Sequence, residues 1–219
     1  MLLWEKLLVN EEYIKIAEKI GAMHFITDGK WDWEHGLGHY KRVSSYVENI
    51  LKQLHASSRT IELGCTAALL HDIGLIKGDK INHALYSSQI FMNYIEDDIT
   101  KEEEEMLKGA IRDHSRGENI QSLIGLALVL ADKLDVTYHR VEHSTIHDTI
   151  NNEIQKIKKV DIGITEKDLV VTYTTDSSFD ANILKNWDKA VTIPRKIASY
   201  LDKNYIFMIN KEKIDDTIF

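Results

Sequence analysis

The sequence has little cysteine and little proline. A single cysteine among 219 residues cannot form a disulfide within the chain, and Cys65 lies in the apolar run Leu63–Leu70, where we expect a small buried side chain. Pro194 is the one proline, and only 11 residues are glycine, so few positions interrupt a helix. The pattern predicts a mostly helical protein that folds without disulfides.

The sequence also lacks an excess of positive charge. Lys and Arg number 27 against 35 Asp and Glu, and the formal net charge is -8. Such a chain has no broad positive field to collect the phosphates of a nucleic acid. We therefore expect a small-molecule ligand and no nucleic-acid polymer as a partner.

No apolar run is long enough to cross a bilayer, which takes about 20 residues. The longest, Leu123–Ala131, has nine residues and is typical of a buried helix. Residues 1–10 carry Glu5 and Lys6 and lack a small-residue cleavage site, so they do not resemble a signal peptide. The expectation is a cytoplasmic protein without a membrane partner.

The first two thirds of the chain show helical periodicity. It predicts helices at about 3–20, 34–54, 59–73, 81–96, 101–115 and 119–139. The fifth has the clearest start, because Thr100 and Glu103 can form a capping box.

After about residue 150 the pattern changes. Val160–Thr165 and Leu169–Thr174 are rich in β-branched residues and predict an antiparallel hairpin. An amphipathic helix at about 179–202 and the apolar segment Tyr205–Ile209 follow. The fold class predicted is mainly α with a small C-terminal α+β annex, with domains at 1–150 and 151–219.

Three polar positions lie in unusually apolar surroundings. His71 and Asp72 end the apolar run that starts at Leu63, and Asp132 follows an apolar segment that is hydrophobic on nearly every face. Burying a carboxylate costs several kcal/mol unless a cation compensates it. For Asp132 the alternative is a buried ion pair with a Lys or Arg, but the neighbouring candidates favour a metal ligand.

His39 is the fourth candidate. Val43, Val47 and Leu51 follow it on the same face of the predicted helix, so this face, including His39, should be turned to the core. By itself a core histidine is usually only hydrogen-bonded. Because His71, Asp72 and Asp132 are also candidate ligands, a ligand role is favoured for His39.

These segments resemble the HD superfamily of metal-dependent phosphohydrolases. The resemblance rests on the order of three motifs between about residues 33 and 140. They are His39-Tyr40-Lys41-Arg42-Val43, then His71-Asp72-Ile73-Gly74, then Ala131-Asp132-Lys133-Leu134-Asp135. The family implies an HD-type helical bundle in which His39, His71, Asp72 and Asp132 bind a divalent metal ion. The annex lies outside the resemblance.

Two-metal members of the superfamily add two histidines before the last aspartate. His83 and His114 occupy similar positions here, so we expect two ions, with Asp72 bridging them. Taken singly, each histidine is as readily explained by exposure or helix capping. Imidazole and carboxylate ligands suit Mn, Fe, Zn or Mg, and the sequence does not choose among them.

Phosphate groups of a substrate need donors besides the metals. Arg42 and Lys133 are the preferred pair, because they lie in the motifs themselves, and Lys77, Arg116 and Arg140 are weaker candidates. Trp31 and Trp33 can stack on a base, although packing is the more common role of aromatic residues at a helix entry.

The remaining histidines carry weaker signals. His35 lies one turn before His39. The sequence does not decide whether its side chain faces the mouth of the site or caps the helix. His139, His143 and His147 are spaced for one helix face in polar sequence, and a solvated face is favoured over a metal stripe.

Among phosphohydrolases, the motifs look closest to small bacterial HD enzymes that cleave diadenosine tetraphosphate and related nucleotides. Asp113-His114-Ser115 departs from the His-His and Gly-Tyr-Pro pattern of the cyclic-dinucleotide phosphodiesterases. The alarmone hydrolases stay open as an alternative, as do a di-iron HD-type oxygenase and a ligand-binding regulatory module. A homodimer is also left open.

Overall fold

The computed structural model describes residues 1–23, 33–95, 99–115, 117, 120–142, 144, 148–184 and 191–214. By their internal contacts the residues form two compact units. We call them the helical unit (Met1–Phe25 with His35–Asp132) and the sheet unit (Ile26–Glu34 with Lys133–Phe219). The predicted domains 1–150 and 151–219 stay predictions. Among the described residues, no helix combines the length and the apolar character needed to span a bilayer.

Helices build the helical unit. They are α1 Leu3–Leu7, α2 Glu11–Gly21, α3 Leu37–Gln53, α4 Ser58–Leu70, α5 His83–Ile90, α6 Lys101–Asp113 and α7 Leu123–Leu134, with short 3-10 helices at Ile73–Lys77 and Phe91–Tyr94. Helix α7 runs two residues beyond the end of this unit. The predicted mainly α architecture is confirmed.

The core of the helical unit centres on the packing of α3 against α4. Val47 and Leu51 of α3 are fully buried, and both approach Gly64 of α4. A methyl group at Gly64 would lie 2.5 Å from Leu51 Cδ1, so a larger residue at position 64 would have to displace the Leu51 side chain. Every residue from Leu63 to Leu70 is buried, including Cys65 as predicted.

Several predicted helix limits were wrong. The single helix predicted at 3–20 is two helices, because the Asn10 side chain accepts a hydrogen bond from the Tyr13 backbone N–H and starts α2 anew. The helix predicted to reach residue 73 ends at Leu70 and continues as a 3-10 turn. The predicted capping box is confirmed, since Thr100 Oγ1 accepts from Glu103 N and Glu103 Oε2 accepts from Thr100 N.

The other differences are shorter helices at the predicted places. Helix α3 starts at Leu37, after Gly36, and α5 covers only His83–Ile90 of the predicted 81–96. Helix α7 ends at Leu134, five residues before the predicted limit.

The sheet unit contains a four-stranded sheet in the order β1-β2-β3-β4. The strands are β1 Ile157–Ile164, β2 Asp168–Thr175, β3 Asn204–Ile209 and β4 Glu212–Lys213. The predicted hairpin is confirmed as the antiparallel pair β1–β2, and the apolar segment at 205–209 is β3, which runs parallel to β2. The small α+β annex is therefore confirmed.

Helices α8 Thr149–Ile154 and α9 Thr192–Tyr200 accompany the sheet. Within the helix predicted at 179–202, the described residues form the α-helix α9 and a 3-10 turn at Ala181–Leu184. Residues 185–190 lie outside the described residues. Tyr173 and Phe207 on β2 and β3 are buried with their rings 5.5 Å apart.

A polar cluster inside the sheet unit decides the role of Trp33. The indole is buried, its Nε1–H donates to Asn151 Oδ1 at 2.9 Å, and the Arg140 guanidinium lies 5.7 Å from the ring centre. Asp135 forms a buried ion pair with Arg140 at 3.6 Å. Trp33 therefore packs the fold and is not available for stacking on a base. Trp31 lies outside the described residues.

Candidate metal centre

Helix ends deliver most of the predicted ligands to one place in the helical unit. His39 lies in the first turn of α3, His71 directly follows the last residue of α4, and His114 directly follows α6. His83 is the first residue of α5, and Asp132 lies near the end of α7. The structure brings all six predicted metal-binding residues together around Asp72.

Gly74 explains how α5 reaches this position. A methyl group at Gly74 would lie 2.3 Å from His83 O and 2.3 Å from Ser87 N, so α5 packs directly on the backbone that follows Asp72. The Gly74 N–H also donates to Ser87 Oγ at 2.8 Å. The glycine of the His-Asp-Ile-Gly motif thereby lets His83 approach Asp72.

The first set of ligand atoms faces Asp72 Oδ2, and we call it the three-ligand side (His39, His71, Asp132). His39 Nε2 lies 3.2 Å from His71 Nε2 and 3.4 Å from Asp132 Oδ1. Asp72 Oδ2 lies 3.7 Å from His39 Nε2 and 3.5 Å from His71 Nε2. Both histidine side chains are fully buried.

The second set faces the other carboxylate oxygen of Asp72, and we call it the two-histidine side (His83, His114). Their Nε2 atoms are 3.3 Å apart. Asp72 Oδ1 lies 3.1 Å from His83 Nε2 and 3.3 Å from His114 Nε2. Asp72 therefore turns one oxygen toward each set.

Backbone carbonyls determine which ring nitrogen carries the proton in three of these histidines. The Nδ1 atoms of His71, His83 and His114 lie 2.6–2.7 Å from the carbonyl oxygens of Ala68, Lys80 and Ile111, respectively. A carbonyl oxygen can only accept, so each Nδ1 carries the hydrogen and each neutral ring turns the Nε2 lone pair toward the centre. With the rings neutral, lone pairs and carboxylate oxygens at these distances are suited to binding a cation.

The donor set fits divalent ions. Nitrogen and oxygen ligands roughly 2.0–2.2 Å from a tetrahedral or octahedral ion lie about 3.0–3.5 Å from each other. The contacts between ligand atoms here span 3.1 to 3.7 Å. In three groups of described residues the possible ligand atoms lie within 4.8 Å of one another, namely His35 with His39 and Asp72, His39 with His71 and Asp132, and His71 with Asp72 and His114. Hard and borderline ligands without thiolates suit Mn, Fe, Zn or Mg.

The electrostatics of the metal-free centre depend on Asp72. Burial would raise the pKa of this carboxyl, but the surrounding histidines, His71 first, hold it well below its usual value. Burial would lower the pKa of His71 and of His83, yet the Asp72 carboxylate raises both. At His114 the effect of burial exceeds that of Asp72 and lowers the pKa to about 4, so this ring is neutral at pH 7.

His35 is the residue whose role the sequence left open. It lies just before α3, and its Nδ1 is 2.9 Å from Asp72 Oδ2. The ring is only 12% exposed. No local signal in the sequence distinguishes His35 from a capping histidine, because the contact joins residues 37 positions apart.

The predicted phosphate donors lie on the motif helices. Arg42 is half-buried and lies about one turn after His39 on α3, and Lys133 follows Asp132 on α7 and is buried. Their roles toward a substrate stay predictions. Of the weaker candidates, Arg140 pairs with Asp135, Lys77 is exposed, and Arg116 lies outside the described residues.

The predicted histidine stripe is only partly described, because His143 and His147 lie outside the described residues. His139 Nδ1 lies 3.6 Å from Glu142 Oε2, and both side chains are half-exposed.

Comparison with known families agrees with this geometry. Residues 36–137 match the family model of the HD domain. The match covers 102 of the 219 residues and includes all three motifs, so the predicted resemblance to the HD superfamily is confirmed over this part of the chain. No curated protein matches the chain significantly.

Solved structures show a weaker likeness. The crystal structure of a predicted HD superfamily hydrolase from an uncultured Thermotogales bacterium is 23% identical, and the match covers 57% of this chain and 67% of that protein. The TM-score is 0.43, which is too low for this likeness to support any detail of the site.

Proposed function

We propose that this protein is a metal-dependent phosphohydrolase that binds two divalent ions and cleaves phosphate ester or phosphoanhydride bonds of a small molecule. The observation that carries the proposal is the orientation of Asp72. Its Oδ1 lies 3.1 and 3.3 Å from the two histidines of one side, while its Oδ2 lies 3.5 and 3.7 Å from the histidines of the other. One carboxylate can therefore serve both ions.

The ligands divide accordingly. His39, His71 and Asp132 would hold one ion, His83 and His114 the other, and Asp72 both. Two divalent ions bound in this way lower the pKa of water and neutralise charge on a phosphoryl group. The protein supplies rigid imidazoles, since hydrogen bonds from Nδ1 to the backbone keep three of the rings oriented before any ion binds.

The substrate class follows from charge. A chain of net charge -8 gathers phosphates through local cations and bound ions rather than through an extended basic surface. Arg42 and Lys133 are the proposed contacts to substrate phosphates, because each lies on a helix that carries a ligand. A nucleotide or a dinucleoside polyphosphate is the proposed substrate, and duplex DNA or long RNA should not be cleaved.

A panel of nucleotides, dinucleoside polyphosphates and phosphomonoesters, each tested with Mn, Fe, Mg and Zn, checks the proposal. We expect metal-dependent phosphate release by the wild type and by the control Asp161→Ala, which removes an exposed carboxylate of β1 paired with Lys159. We expect none from Asp72→Ala. Oxygen uptake on turnover would instead identify a di-iron oxygenase, and nucleotide binding without turnover a regulatory module.

A further inference from the structure

His35 differs from the other histidines of the centre in the nitrogen that it presents. His71, His83 and His114 use Nδ1 for a backbone carbonyl and direct Nε2 to the centre. His35 directs Nδ1 itself to Asp72 Oδ2. A hydrogen bond to an ionised carboxylate places the hydrogen on this nitrogen, and a nitrogen that carries a hydrogen is not a metal ligand.

Distance supports the same distinction. The 2.9 Å between His35 Nδ1 and Asp72 Oδ2 is an ordinary hydrogen-bond length. The contacts of Asp72 with the other four histidines are longer, from 3.1 to 3.7 Å, and three of the four exceed the usual hydrogen-bond range.

The backbone holds His35 in place. The next residue, Gly36, is the N-cap of α3 and packs on Gly21 of α2, where a methyl group on Gly36 would lie 2.7 Å from Gly21 Cα. The His35 ring also meets the His39 ring edge to face, with centroids 5.8 Å apart. The packing of Gly36 and the contact with the His39 ring therefore both help to hold the His35 ring in position.

We propose that His35 is a positioning residue that orients the shared carboxylate Asp72 by donating its Nδ1–H to Oδ2. The inference rests on the proposed two-ion centre. Since one carboxylate serves both sides, loss of this hydrogen bond should weaken both ions together. Loss of a true ligand should remove one ion and leave the other.

Asparagine and glutamine test the geometry at His35. The side-chain nitrogen of Asn is as many bonds from Cα as Nδ1 of histidine, whereas that of Gln corresponds to Nε2. His35→Asn can therefore keep the hydrogen bond to Asp72, and His35→Gln and His35→Ala cannot. The matched control is His55→Asn, because His55 is exposed and has a φ of 55°, a left-handed conformation that Asn tolerates.

The experiment titrates the metal-free full chain and its variants with Mn²⁺ alone, by calorimetry and by metal analysis at saturation, with Zn²⁺ in a parallel series. Circular dichroism verifies that each variant is folded. We expect His35→Ala and His35→Gln to weaken both ions by about 10- to 100-fold while still binding two at saturation. We expect His35→Asn and His55→Asn to bind as the wild type does.

Three results would overturn the positioning role alone, provided that the wild type binds Mn²⁺. They are an unchanged affinity in His35→Ala, the loss of one ion at saturation, which would make His35 a ligand, and an Asn variant no better than the Gln variant. A wild-type chain that binds neither ion would instead refute the proposed metal centre, and the positioning role with it.

Discussion

The two sides of Asp72 differ in charge. The three-ligand side adds a second carboxylate, Asp132, to two fully buried histidines, whereas the two-histidine side, as the described residues define it, has Asp72 as its one carboxylate. A site with more ligands and more negative charge holds a divalent ion more tightly. We therefore expect a tightly held ion on the three-ligand side and a more exchangeable one on the two-histidine side.

The helices that carry the ligands also differ between the two sides. Helices α3, α4 and α7 supply the three-ligand side, and their ligands follow or interrupt apolar stretches of the core. The two-histidine side depends on α5 and α6, and α5 is held against the backbone after Asp72 by the close approach at Gly74. The weaker side is thus also the one that a small change in packing can displace.

The largest effect should come from Asp72→Ala, which removes the group that both sides share. We expect metal content to fall from about two ions per chain to near zero and phosphate release to fall to background, with the helical fold retained. Metal analysis, a phosphate assay and circular dichroism measure the three quantities. Metal content and activity like those of Asp161→Ala would refute the shared role.

Single histidine changes should separate the two sides. We expect His83→Ala and His114→Ala each to lose one ion per chain and to keep the ion of the three-ligand side. His39→Ala should affect the tighter ion, and metal analysis after graded chelation distinguishes the two. A wild type with one ion that neither His83→Ala nor His114→Ala alters would mean a mononuclear centre.

Gly74→Ala tests whether packing alone can impair one side. The added methyl group cannot fit beside His83 O and Ser87 N, so α5 must shift, at a cost of about 1–3 kcal/mol in the free energy of unfolding. We expect weaker Mn²⁺ binding on the two-histidine side and nearly unchanged binding on the three-ligand side. Gly109→Ala is the matched control, because a methyl group there meets no atom within 4 Å.

Acidification should weaken the exchangeable ion through His83. The Asp72 carboxylate raises the pKa of His83 against the effect of burial, so a proton competes with the metal for Nε2 as pH falls, at up to about tenfold in affinity per pH unit. Burial lowers the pKa of His114 to about 4, so this ring binds no proton near neutrality. We therefore expect the proton that the weaker ion displaces to come from His83 and not from His114.

Calorimetry between pH 6 and 8 measures how the affinity for the weaker ion depends on pH. NMR titration of the metal-free chain shows which histidine carries the proton. A protonated His114 at pH 6 would contradict the difference between the two rings.

The smallest effect should come from the ion pair that joins α4 to α6. Arg59 donates two hydrogen bonds to Glu103 and lowers the pKa of that carboxyl to about 2. A depressed carboxyl pKa stabilises the fold above its unfolded value, about 4.3, and this contribution is lost as pH falls toward 2.

We expect Glu103→Gln to cost less than about 1 kcal/mol at pH 7, because solvent screens this partly exposed pair. The difference from the wild type should narrow below pH 4 in thermal unfolding. Mn²⁺ affinity should not change on either side, and a change would show that the α4–α6 link does more than stabilise the fold.

Apolar sequence context was sufficient to find His71, Asp72 and Asp132, because burial of charge is visible in the chain, whereas His83 and His114 were predicted through the family resemblance. His71, Asp72 and Asp132 follow runs of apolar residues, and a carboxylate in such a run needs a compensating group. The separation of α1 from α2 could have been predicted as well, since Asn10 before Glu11 and Glu12 is a typical helix start. The helix-start signal at Asn10 was overlooked because the pattern of apolar residues continues from α1 into α2.

The sequence by itself determined the helical class, the hairpin near the C-terminus and the residue types of a metal centre, because periodicity and apolar context are local properties. Only the tertiary structure decided which oxygen of Asp72 faces which histidines, which ring nitrogen His35 presents, and that Trp33 is buried against Arg140. Those outcomes depend on contacts between residues 11 to 118 positions apart, such as Asp72 with His83 and Trp33 with Asn151. Such contacts form only when the helices pack, so no local pattern records them.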